Sequence, residues 1–174
     1  MLFFSCFNSG LLTRDLNNNK YDSLSNTELQ KEYQKQLVLI KSNKNKIEDI
    51  DSLGNYLHIQ LTDEVFPGWY GTDWDYKGYT NTPREGMVAC GYFVSTTLKH
   101  VGFNLNRFDL AKMYSSNIVK SLCGTPTTFK DIDNMLSFLM EKGDDLYVIG
   151  LRSHVGFIEK KDGAIYVIHS NYIG

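Results

Sequence analysis

The residues of this chain suited to nucleophilic chemistry are its three cysteines and four histidines. Cys90 opens the run Cys90-Gly-Tyr-Phe-Val-Ser-Thr-Thr-Leu-Lys-His-Val-Gly102. Phe93, Val94, Thr97, Leu98 and Val101 recur there at the spacing of one buried helical face. Gly102 suits the left-handed residue that follows a helix. Cys90 therefore belongs in the first turn of a helix. The thiolate is the reactive form of cysteine, and a helix amino terminus and a neighbouring imidazolium both favour it. Cys123, before Gly124 near a helix end, reads as structural.

The histidines are His58, His100, His154 and His169. His58 falls in an amino-terminal helix, away from Cys90. His100 shares the Cys90 helix but lies ten residues on, about 15 Å along the axis, too far to serve as base. His154 starts a strand in Ser153-His-Val-Gly-Phe157, and His169 ends the next in Val167-Ile-His-Ser-Asn171. Asp162-Gly163 between them is a two-residue hairpin signal. That turn pairs Lys161 with Ala164 and sets His154 opposite Asn171, with His169 on the same face. A one-residue slip would bring Ser170 there instead. The set is then a nucleophile (Cys90), a base (His154) and an orienting third residue, His169 or Asn171.

Helices precede these strands. Ser25 and Glu28 form a capping-box pattern, followed by Leu29, Tyr33, Leu37 and Ile40 at helical spacing up to the polar break at 42–45. A second helix is expected from Ile47 to Val65, with Gly54 inside it at some cost in propensity, and stopped by Pro67-Gly68. Further helices are expected over 107–122 and 129–142, and short strands over 146–149, 155–158 and 164–168. Helices first and an antiparallel sheet after them define an α+β fold. Residues 67–88 hold both tryptophans and lack a period, so they form a long ordered loop whose rings either line a binding cleft or cover the core. Tyr70, Trp74 and Asp75 are its candidate substrate-binding residues.

Composition closes off other classes. At 174 residues the length suits one domain, and 42% hydrophobic residues are enough for a core. A net charge of −2 gives no footprint for nucleic acid. No apolar run reaches the length of a membrane span. No His-Glu-x-x-His or paired Cys-x-x-Cys pattern points to a metal, and no Gly-x-Ser-x-Gly points to a serine hydrolase. Three cysteines are too few for a disulfide framework. Residues 1–25 read as a terminal segment, and Leu2-Phe-Phe-Ser-Cys6 is similar to the end of a lipoprotein signal. A lipid on Cys6 would make the protein an exported, envelope-held one, attached to a membrane only through that lipid.

With these residues in view, the chain resembles the NlpC-type cell-wall peptidases of the papain-like cysteine peptidase superfamily. The likeness rests on Ala89-Cys90-Gly91-Tyr92-Phe93-Val94, on His154-Val155-Gly156, on Ile168-His169 and on the Tyr70–Gly78 approach, and spans residues 66–171. It implies a papain-like domain over 26–174 with a helical amino-terminal extension. The implied activity is hydrolysis of an amide bond in peptidoglycan peptides. Cys90 would be the nucleophile, His154 the base and His169 the polar third residue, with the Cys90 N–H in the oxyanion hole. No cofactor is implied, and a monomer is expected. Ala89 stands where the family has an acidic residue that binds the substrate's amino end, and Gly91-Tyr92 replaces Ser-Gly. Two other readings use the same residues: a thiol-dependent acyltransferase, or a non-catalytic binding module whose contact surface is the 69–79 loop.

Overall fold

The computed structural model describes residues 19–172. Cys6 and the lipid-attachment expectation lie outside them. Helix α1 (Asn26–Lys44) starts at Ser25, whose Oγ accepts the Glu28 N–H while the Glu28 carboxylate accepts the Ser25 N–H. Leu29, Tyr33, Leu37 and Ile40 form its buried face, as their spacing predicts. Packing begins ahead of α1: Tyr21 is fully buried, and the Asn19 side chain donates to the Pro67 carbonyl.

Helix α2 (Ile50–Ile59) is capped by Asp49, which accepts the Ser52 N–H at 2.7 Å. It runs into a π-helical turn (Gln60–Val65) and then into α3 (Phe66–Trp69). The helical path therefore passes through Pro67-Gly68 and ends only at Tyr70, later than the sequence signal suggests. Pro67 has no N–H to give, and the widened turn before it accommodates the missing bond. Gly68 permits the turn to pack closely: a Cβ there would lie 2.7 Å from the Tyr33 ring.

Helix α4 (Cys90–His100) is followed by Gly102 at φ +92°, as expected. The single helix expected over 107–122 is instead two, α5 (Arg107–Ala111) and α6 (Ser115–Cys123). The chain turns extended at Tyr114, which lets α5 pack on α4 while α6 packs on the sheet. Periodicity alone does not register that change of partner. Helix α7 (Ile132–Glu141) is capped by Asp131.

Strands β1 (Asp145–Gly150), β2 (Val155–Lys161) and β3 (Ala164–Ile168) form an antiparallel sheet in the order β1-β2-β3. The β2–β3 register is Lys161↔Ala164 through Phe157↔Ile168, the register that the Asp162-Gly163 turn implies. Both turn residues have positive φ, 52° and 76°. Central strand β2 is covered on both faces. Phe157 meets Phe66 and Phe93 at ring separations of 4.8 and 6.1 Å. Ile158 packs with Leu139 of α7 and Ile165 of β3. Lys160 donates to the Met140 and Lys142 carbonyls at the end of α7, where helix carbonyls lack partners. The architecture is thus α+β, with a small antiparallel sheet between helices. Among the described residues, no helix is long and apolar enough to cross a membrane.

Candidate active site

Cys90 is the first residue of α4, half-buried and with a free thiol. Ala89 occupies the cap position and offers no side-chain oxygen. The first intrahelical bond comes from Phe93 N–H to the Ala89 carbonyl, at 2.8 Å. The N–H groups of Cys90, Gly91 and Tyr92 therefore have no helical acceptor. They aim at whatever group sits at this helix end, and their dipoles favour negative charge there.

Two main-chain runs hold Cys90 in place. Residues 87–89 lie between 73 and 78–80: Val88 N–H donates to the Asp73 carbonyl and Ala89 N–H to Gly78, each at 2.9 Å. Gly78 is required there, because a Cβ would come within 2.6 Å of the Met87–Val88 peptide. From the other direction, Ser170 Oγ donates to the Val88 carbonyl at 2.7 Å. This bond ties the end of the β2–β3 hairpin to the residue pair before Cys90. Packing of α4 on β2 through Phe93 and Phe157 supports the same arrangement from below.

His154 immediately precedes β2 and His169 immediately follows β3, so each stands one residue outside the strand it was expected to occupy. Their rings meet: His154 Nε2 and His169 Nδ1 are 2.7 Å apart, with the ring planes near perpendicular at 88°. Gly156 makes room for this. A Cβ at 156 would stand 2.9 Å from both His169 Cβ and the Ile168 carbonyl oxygen. Burial, then the neighbouring His169, lowers the His154 pKa to about 4. Burial lowers that of His169 as well. Both rings are therefore neutral at pH 7, and one must donate where the other accepts. If His154 carries its proton on Nε2 and gives it to His169, its Nδ1 is free to accept a proton. That is the tautomer a general base needs.

The other two histidines lie elsewhere. His100 Nδ1 is 2.9 Å from the Tyr33 hydroxyl, which accepts the Trp69 indole N–H at 2.8 Å. Tyr33 must then donate to His100, and burial lowers the His100 pKa to about 4. His58 Nε2 lies 3.7 Å from the carboxylate of Glu159.

The aromatic approach divides. Trp69 is core, 4% exposed, and belongs to no cleft. Tyr70 lines a concavity of about 380 Å³ with Asn19, Asp22, Gly71 and Arg84, which includes none of Cys90, His154 or His169. Asp75 accepts the Lys77 N–H within its own turn. Trp74 is partly exposed and stands 6.1 Å from Tyr172, three residues past His169. Sequence reasoning placed Ser170 only as the product of a register slip and Gly156 only within the His154-Val-Gly156 motif, and missed the Ser170–Val88 bond and the close approach at 156. Glycine inside a strand pattern is the signal that marks close approach at 156. No group of His, Cys, Asp and Glu side chains among the described residues is arranged to hold a metal ion. No family model, curated protein or solved structure matches the chain.

Proposed function

We propose that this protein is a papain-like cysteine hydrolase that cleaves an amide bond in bacterial cell-wall peptides. The observation that carries the reading is the His154–His169 hydrogen bond, with the neighbouring Ser170 tied to the Val88 carbonyl two residues before Cys90. In the reaction, His154 Nδ1 takes the Cys90 proton while its Nε2–H stays bonded to His169. The thiolate attacks the carbonyl carbon, and the oxyanion lies against the free N–H groups of the helix end. The tetrahedral intermediate collapses, the amine leaves with the proton from His154, and a thioester remains on Cys90. Water, deprotonated by His154, then releases the acid and restores the thiol.

Support for the substrate class comes from the motif likeness alone. Export and a place at the cell envelope belong to the same proposal. Incubating the protein with soluble peptidoglycan fragments and following products by mass spectrometry tests it. The expected result is a gain of 18 Da distributed over two products, absent with Cys90→Ala. An acyl group appearing on an added amine, with no hydrolysis, would instead identify an acyltransferase. No turnover of any fragment would overturn the substrate class.

A further inference from the structure

Beside the helix that begins with Cys90 lies a buried cation with no acidic partner. Arg107 is 7% exposed, and no carboxylate among the described residues pairs with it. Its Nε donates to Thr96 Oγ1 at 3.0 Å. Its Nη2 spends both hydrogens on the Tyr79 and Thr80 carbonyls, at 2.6 and 2.9 Å. The guanidinium also lies 5.2 Å from the centre of the Tyr92 ring and 4.8 Å from that of Phe108. Nη1 alone makes no hydrogen bond. It is not fully sealed, so the atom reaches solvent. The surrounding rings are open to solvent too, Tyr79 at 64% and Phe108 at 44%.

A desolvated charge is costly unless paired. Neutral carbonyls, a hydroxyl and ring faces hold this one in place but leave its charge uncompensated. A fixed guanidinium with a free N–H pair, framed by exposed aromatic rings, suits a carboxylate attached to an apolar or extended chain. Tyr92, whose ring lies 5.2 Å from the guanidinium, is two residues along α4 from Cys90. We infer that Arg107 is a specificity residue of the proposed hydrolase: it receives a carboxylate of the peptide substrate. This rests on the hydrolase reading and adds a charge requirement to it.

The test is protection of Cys90 from iodoacetamide by alanine-based pentapeptides carrying Glu or Gln at each position in turn. At low salt, one Glu peptide should protect at a concentration at least tenfold below its Gln twin, and the ratio should shrink as salt rises. Arg107→Gln should abolish the ratio. Because Arg107 also anchors residues 79–80, Phe108→Glu provides a second variant at an exposed position. It places a carboxylate on the guanidinium from within and should abolish the ratio equally. Equal protection by Glu and Gln at every position overturns the inference, as does a ratio that survives Phe108→Glu. The hydrolase reading fails separately, through alkylation of Cys90 that ignores His154→Ala.

Discussion

Replacing Gly156 with alanine probes the histidine pair without touching either ring. The added Cβ would lie 2.9 Å from His169 Cβ and 2.9 Å from the Ile168 carbonyl oxygen. Neither is the free end of a flexible side chain. Relieving the contact requires a shift of about 0.5 Å, and overpacking of this kind costs about 1–3 kcal/mol. For a chain of this length that lowers Tm by about 2–12 °C. The same shift stretches a hydrogen bond that is 2.7 Å long. Misplacement of catalytic groups by about 1 Å costs on the order of 100-fold in rate, so a half-ångström shift should slow Cys90 alkylation at pH 7 by about tenfold. Gly163→Ala is the control. Gly163 has φ +76° and open space around it, so alanine there strains the turn and leaves the site alone. Circular dichroism melts and alkylation rates on both variants separate the effects. Both should lose stability, and Gly156→Ala alone should lose thiol reactivity. Equal alkylation rates in the two variants would refute the link between His169 placement and Cys90 activation.

Other consequences follow from the same geometry. His100 has a folded pKa of about 4 against an ordinary 6.5. Between those values the unfolded chain binds more protons, so stability falls as pH drops through that window. His100 alone contributes up to about 3 kcal/mol, readable from urea melts at pH 7 and pH 4. Tyr33→Phe should cost about 1–3 kcal/mol at pH 7, because it strands the Trp69 N–H and the His100 acceptor together. Ala89→Ser supplies the missing cap on α4 and should raise stability by about 1 kcal/mol in the same melts. His169→Ala should lower the rate of Cys90 alkylation, whereas Asn171→Ala should leave it intact; the reverse pattern would make Asn171 the orienting residue.

The hairpin and the meeting of the two histidines were legible in part because their signals are local. The Asp162-Gly163 turn has one favoured geometry, which sets the β2–β3 register and puts His169 on the same face as His154. Register left Asn171 as the directly opposed residue, but both histidines lie just outside the strands, where pairing no longer dictates the partner. The capping box and the apolar spacing of α1 were equally plain. What sequence could not supply was tertiary. Trp69 looked like part of an aromatic cleft wall, and only the Tyr33 hydroxyl and the packed core explain why it is buried. Pro67-Gly68 reads as a stop, yet a π-helical turn lets the helix pass through it. The division of α5 from α6 follows from which surface each covers, a choice that periodicity does not record.

The most direct measurement is the pH dependence of Cys90 alkylation by iodoacetamide, with His154→Ala alongside. An unassisted thiol titrates near 8.5. With His154 neutral and acting as proton acceptor, the expected result is alkylation at pH 7 faster than that of an unassisted thiol, lost with His154→Ala. Slow alkylation that rises only above about pH 8, with the same profile in both proteins, would contradict an imidazole-activated nucleophile and leave the binding-module reading in its place.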